Sequence, residues 1–194
     1  MSKTLRAMII VLLVASCGGG QTSAPRNLDN ACSILKERPQ YLRAFRKVER
    51  KWGVPMHVMM ATIHQESKFI ADARTPFKYV LGVIPMGRQS SAYGYSQALD
   101  GTWEEYLEDQ NIRRARRDRI NDATDFMGWY FSKSAESLGI PLADAKHQYL
   151  AYHEGRTGYA RGSYRKKAWL MRVSDEVATR AVMYDMQLRS CGMI

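Results

Sequence analysis

PMHVMMATIHQESKF, residues 55–69, is the stretch from which the fold is read. Pro55 suits the first turn of a helix, because the N–H it lacks is one that a helix start leaves unpaired anyway. Met56, Met59, Met60 and Ile63 recur at helical spacing and carry an apolar face towards Glu66. A carboxyl at the end of such a helix loses water on its helix side and faces a loop-built cleft on the other. Partial desolvation disfavours the anion and raises the pKa towards the range of a general acid. Taken alone, the same position also fits an ordinary solvated glutamate, since most glutamates are exposed.

Working outward, the pattern from Pro39 onward is mostly helical. Tyr41, Leu42, Phe45, Val48 and Trp52 fall on one stripe, and Gly53 ends that helix. Residues 71–94 differ: Pro76, Gly82, Pro85 and Gly87 surround a short β-branched patch, Tyr79 to Ile84, which reads as loop with a small hairpin. Helical patterns resume at 101–110, 122–138, 142–153 and 165–188, the last with a break expected near Ser174. The expected fold is mainly α, with a small β or loop element beside the Glu66 helix. Trp52, Trp103, Trp129 and Trp169 sit on helical stripes and are expected in the core.

The first residues point to export. Lys3 and Arg6 precede an apolar run, Ala7 to Val14, too short to span about 30 Å of hydrocarbon, and Val14-Ala15-Ser16 place small residues before Cys17. This run resembles the lipobox of bacterial lipoproteins. The resemblance implies that residues 1–16 are a signal peptide, that Cys17 becomes the lipidated first residue, and that the chain is membrane-anchored. Gly18 to Asn30 reads as a flexible tether reaching at most about 45 Å. The expected organisation is therefore signal 1–16, lipidated cysteine and tether 17–38, and a single domain 39–194.

The net charge is +10, falling to +8 without Lys3 and Arg6. Export makes nucleic acid a poor partner for that charge and favours anionic lipid or acidic wall polymers. Cys32 and Cys191, an isolated pair in an oxidising compartment, are expected to form a disulfide joining the two ends of the domain. The basic run Arg113-Arg114-x-Arg116-Arg117-x-Arg119 reads either as a contact for anionic groups or as a solvated helix start. His57 and His64 share a helical face, but no HExxH or cysteine cluster accompanies them, so neither a metal nor another cofactor is expected.

Two further segments bear on Glu66. In SAYGYSQ, residues 91–97, Gly94 permits close backbone approach and Gln97 offers a side-chain amide. In YLAYHEG, residues 149–155, a helix is expected to end at Gly155, with Tyr152 turned into a cleft. Glu-Ser, then Gly-x-x-Gln, then Ala-Tyr-x-x-Gly, in this order and spacing, resembles the soluble-type lytic transglycosylases of the goose-lysozyme-like superfamily, over roughly Tyr41 to Arg189.

That resemblance implies a lysozyme-like α+β domain acting on peptidoglycan strands. Glu66 would be the catalytic acid and base, and Ser67, Gln97, Tyr152 and His153 would border the substrate. It implies cleavage of the bond between N-acetylmuramic acid and N-acetylglucosamine to leave 1,6-anhydro ends. Two departures stand out: Tyr95-Ser96 replace the family's Leu-Met, and His153 replaces an asparagine. They leave open a non-catalytic wall-binding lipoprotein. A muramidase that hydrolyses the same bond is the other alternative, and Asp72, Asp100 and Glu154 are its candidate second carboxylates. By analogy Gly18 favours the periplasmic face of the outer membrane, and Pro76 to Gln89 would form a lip over the sugar groove.

Overall fold

The computed structural model describes residues 22–194. The expected signal peptide and the lipidation of Cys17 lie outside the described residues.

Seven helices and one hairpin make up the described body: α1 (Ala31–Glu37), α2 (Pro39–Trp52), α3 (Met56–Ser67), β1 (Phe77–Val80), β2 (Ile84–Arg88), α4 (Asp100–Asp109), α5 (Ile120–Leu138), α6 (Ala145–Ala160) and α7 (Ala168–Ser190). The fold is mainly α, with the small hairpin in the place read from 79–84. β1 and β2 pair antiparallel, with Val80 opposite Ile84 across the turn.

α3 is the axis of the molecule. Every residue from Val58 to His64 is buried, polar Thr62 included, and α2, α5, α6 and α7 all pack around it. A helix enclosed on all sides needs no single apolar stripe. The Thr62 hydroxyl donates to the Val58 carbonyl, so its burial leaves no donor unpaired. α2 shows the ordinary pattern instead: Tyr41, Ala44, Phe45 and Val48 face inward, and Gly53 closes it in the left-handed conformation at φ 71°.

The packed body begins earlier than the helical periodicity from Pro39 indicates. Asn30 caps α1, its side chain accepting from the Ser33 N–H at 2.8 Å, and Ala31, Ile34 and Leu35 are buried. Burying Ile34 and Leu35 stabilises the body by about 1.5–3 kcal/mol each, reason enough for this segment to fold rather than trail. The Cys32–Cys191 bond then ties α1 to the end of α7 across a separation of 159 residues. That pairing is the one expected.

Two local expectations are corrected, at Ser174 and at Trp169. α7 runs unbroken through Ser174, whose buried hydroxyl donates to the Met171 carbonyl. Gly155 leaves the helical conformation, at φ 73° and ψ 154°, and ends the first helical piece of α6 as expected, with a second piece running on to Ala160. Trp169 is 48% exposed rather than in the core. The arginine run is loop, and Arg117 braces it against the preceding loop. Its guanidinium donates to the carbonyls of Ala98 (2.8 Å) and Ser91 (3.2 Å) and pairs with Asp100.

Candidate active site

Glu66 occupies the last turn of α3, where the chain leaves the helix through two consecutive left-handed residues, Lys68 (φ 53°) and Phe69 (φ 61°). Such conformations are costly for side chains other than glycine. Phe69 is held there by full burial and by stacking on Tyr41 at 5.8 Å. The turn carries the backbone away from α3, and Glu66 keeps a partial opening to solvent. Burial pushes its carboxyl up to about 7, while the Tyr149 phenol beside it and the Lys68 cation pull it down without cancelling that effect.

Tyr149 and Tyr152 stand three residues apart on one face of α6, as helical spacing requires. Burial raises both phenols above their usual range, and the Glu66 charge adds to the effect on each. The Tyr152 hydroxyl donates to the Ser96 carbonyl at 2.6 Å, and its ring packs edge-on against Tyr130 and Phe131. Sequence reasoning singled out Tyr152 and passed over Tyr149. The signal for Tyr149 was present in the three-residue spacing alone, but tyrosines so spaced are common core residues.

The 91–98 loop closes the opposite wall. Gly94 has φ 80°, and a Cβ there would lie 2.1 Å from the Arg117 carbonyl oxygen, so only glycine fits this approach. Gln97 is itself left-handed at φ 50°. Its Nε2 donates to the carbonyls of Ala73 and Gly94, both at 2.9 Å, leaving Oε1 as the acceptor side of the amide. The Ser67 hydroxyl donates to the Tyr95 carbonyl at 2.8 Å and is nearly buried, so it fastens the end of α3 to this loop.

Gln97, Phe126, Tyr130, Tyr152, His153 and Glu154 line part of a cavity of about 220 Å³. The His153 Nδ1 lies 3.1 Å from Glu154, and its ring sits edge-on to the exposed Trp169 at 5.2 Å. Burial acts to raise Glu154, but Lys167 at 2.7 Å, Ser163 and His153 outweigh it and hold the carboxyl down to about 2. Glu154 is thus a committed anion. Asp100 is paired with Arg117 at 2.7 Å, and Asp72 is exposed on the surface.

The structure therefore brings Glu66, Tyr149 and Tyr152 together, with Gln97 and His153 bordering the adjoining cavity. Ser67 lies behind this surface. His57 faces Asp185 at 3.3 Å, and His64 is held neutral, its pKa lowered to about 4 by burial and by the Lys68 and Arg180 charges. The site offers one carboxyl able to hold a proton near neutrality, two phenols around it, and an adjoining space edged by an amide and an imidazole. A family model described as a transglycosylase SLT domain matches residues 5–191. No curated protein matches the chain.

Proposed function

From the premise that this chain belongs to the transglycosylase SLT domain family, and so to a peptidoglycan-degrading domain of the lytic transglycosylase type, we propose that Glu66 is its single catalytic acid and base. The observation that carries this reading is the Glu66 carboxyl, raised to about 7 by burial and therefore substantially protonated near neutral pH.

Neutral Glu66 gives its proton to the oxygen linking N-acetylmuramic acid to N-acetylglucosamine. As that bond breaks, positive charge develops on the muramic ring. The Glu66 carboxylate then takes the proton from the 6-hydroxyl of the same sugar, whose oxygen closes onto the anomeric carbon. The product carries a 1,6-anhydro ring, the carboxyl is neutral again, and no water enters. Hydrolysis would call on a second carboxylate about 5–9.5 Å away to hold an attacking group. Glu154 and Asp100 each pair with a cation and Asp72 is exposed on the surface, which supports the ring-closing route.

The surrounding residues divide the remaining work. Tyr149 steadies the carboxyl and tempers its rise. Tyr152, fixed by the Ser96 carbonyl, walls the site. Gln97 Oε1 and His153 meet acetamido or hydroxyl groups of the strand, and Ser67 holds the two walls in register. The chain works in the cell envelope, carried by its export signal and lipidated at Cys17 on the periplasmic face of the outer membrane.

The test is Glu66→Gln, which is nearly isosteric. Purified and folded, it should bind glycan strands and cut them at least about a thousandfold more slowly. A variant that keeps normal turnover removes Glu66 from the chemistry.

A further inference from the structure

We propose that the β1–β2 hairpin is a wedge that inserts into an anionic phospholipid surface. Every residue of both strands is exposed, yet the ribbon is strongly apolar. Leu81 is 85% and Val83 75% exposed at its tip, with Val80 and Ile84 paired just behind them. Side chains of a strand alternate between its two faces, so a protein partner lying on one face would leave the other wet. A lipid phase covers both.

The turn itself is unusual. Leu81 (φ 53°) and Gly82 (φ 74°) are both left-handed, and the Val83 N–H donates to the Val80 carbonyl. Asparagine, aspartate or glycine meets that geometry at less cost. A leucine held there, almost wholly in water, is accounted for by burial in something else.

The residues are also graded along the ribbon. Aliphatic groups occupy the tip. Phe77 and Tyr79 follow, where aromatic rings suit the level of lipid headgroups. Lys78 sits between those two aromatic residues, and Arg88, opposite Phe77, and Arg74 lie at the root, with the Arg88 guanidinium 4.3 Å from the Phe77 ring centre and donating to the Thr75 carbonyl at 2.7 Å. Cations at that level meet lipid phosphates. The root is braced: the Gln89 N–H donates to the Pro76 carbonyl and the Thr75 hydroxyl to the Ser90 carbonyl. A firm stem with an apolar point reaches about 5–10 Å into the headgroup and acyl boundary.

The course of the chain agrees with this. The Thr22 carbonyl accepts from the Ala71 N–H, so the described body starts beside the segment that carries the hairpin. Cys17 is five residues earlier, at most about 18 Å away. This last point rests on the proposed lipidation; the hairpin's own chemistry does not.

The full mature chain carrying Leu81→Trp, mixed with vesicles of phosphatidylethanolamine and phosphatidylglycerol, provides the test. Brominated acyl chains should quench its fluorescence at least about twofold more than that of the native chain, and the added emission should shift to shorter wavelength. Quenching equal to the native chain overturns the proposal whether or not Cys17 is lipidated, because an anchor alone does not bury residue 81. A shift without vesicles that grows with protein concentration, or one caused only by soluble glycan fragments, also overturns it, giving the hairpin to a second copy or to the sugar groove. Glycan cleavage measured in the same samples reports on Glu66 separately.

Discussion

At the scale of single residues, Glu66 sets a pH dependence in two quantities. On the proposed mechanism the acid form makes the first proton transfer, so the cleavage rate should fall as pH rises through about 7. The same shift acts on stability with a definite sign. The folded carboxyl holds its proton up to about 7, whereas an ordinary glutamate releases it near 4.5. Folding is thus unopposed by this group below about 4.5, loses stability between those values, and is weaker by on the order of 3 kcal/mol above them. Glu66→Gln should therefore unfold at higher urea than the native chain near pH 8, with the gap closing near pH 4. An equal gap at both pH values contradicts the buried acid. The apolar helix led to position 66, but a solvated glutamate fitted it as well until the segments holding Gln97 and Tyr152 were set beside it. Tyr149 was not legible, since its spacing from Tyr152 matches any core helix and only the fold turns that face towards α3.

At the scale of elements, the site depends on two tight backbone passages, the turn after α3 and the 91–98 loop. Gly94→Ala tests the second. Its Cβ would meet the Arg117 carbonyl carbon at 2.5 Å as well as the oxygen, and its φ of 80° disfavours any side chain. The loop must shift, at a cost of about 2–4 kcal/mol, and Gln97 and the Ser96 carbonyl move with it. The expected outcome is a lower melting temperature together with slower cleavage. A stable, fully active variant would mean that the loop does not position the site. Helix stripes such as Tyr41, Phe45 and Val48 were readable because one face of α2 meets solvent. α1 escaped notice because seven residues give too few turns for periodicity, and its burial is decided by α2 and α7 packing on it. Trp169 misled for the opposite reason: helical spacing cannot tell an inward stripe from a half-exposed one.

At the scale of the molecule, one disulfide closes the body, one enclosed helix carries the acid, and one hairpin stands clear of both. Fold class and the Cys32–Cys191 bond were legible in the sequence, since they follow from patterning and from two unpaired cysteines. The hairpin's place was legible too, but its exposure was not: a lip over a groove and a free-standing ribbon have the same composition. The commitment of Glu154 to Lys167 was equally hidden, being a contact across a bend in α6. It is this commitment that bears on whether water or the sugar's own hydroxyl completes the reaction. Mass spectrometry of the fragments that the native chain releases from purified wall sacculi tests that most directly. A single acid and base predicts muramic ends in the 1,6-anhydro form, lighter by one water than reducing ends. Reducing ends, or no release at all, would contradict it.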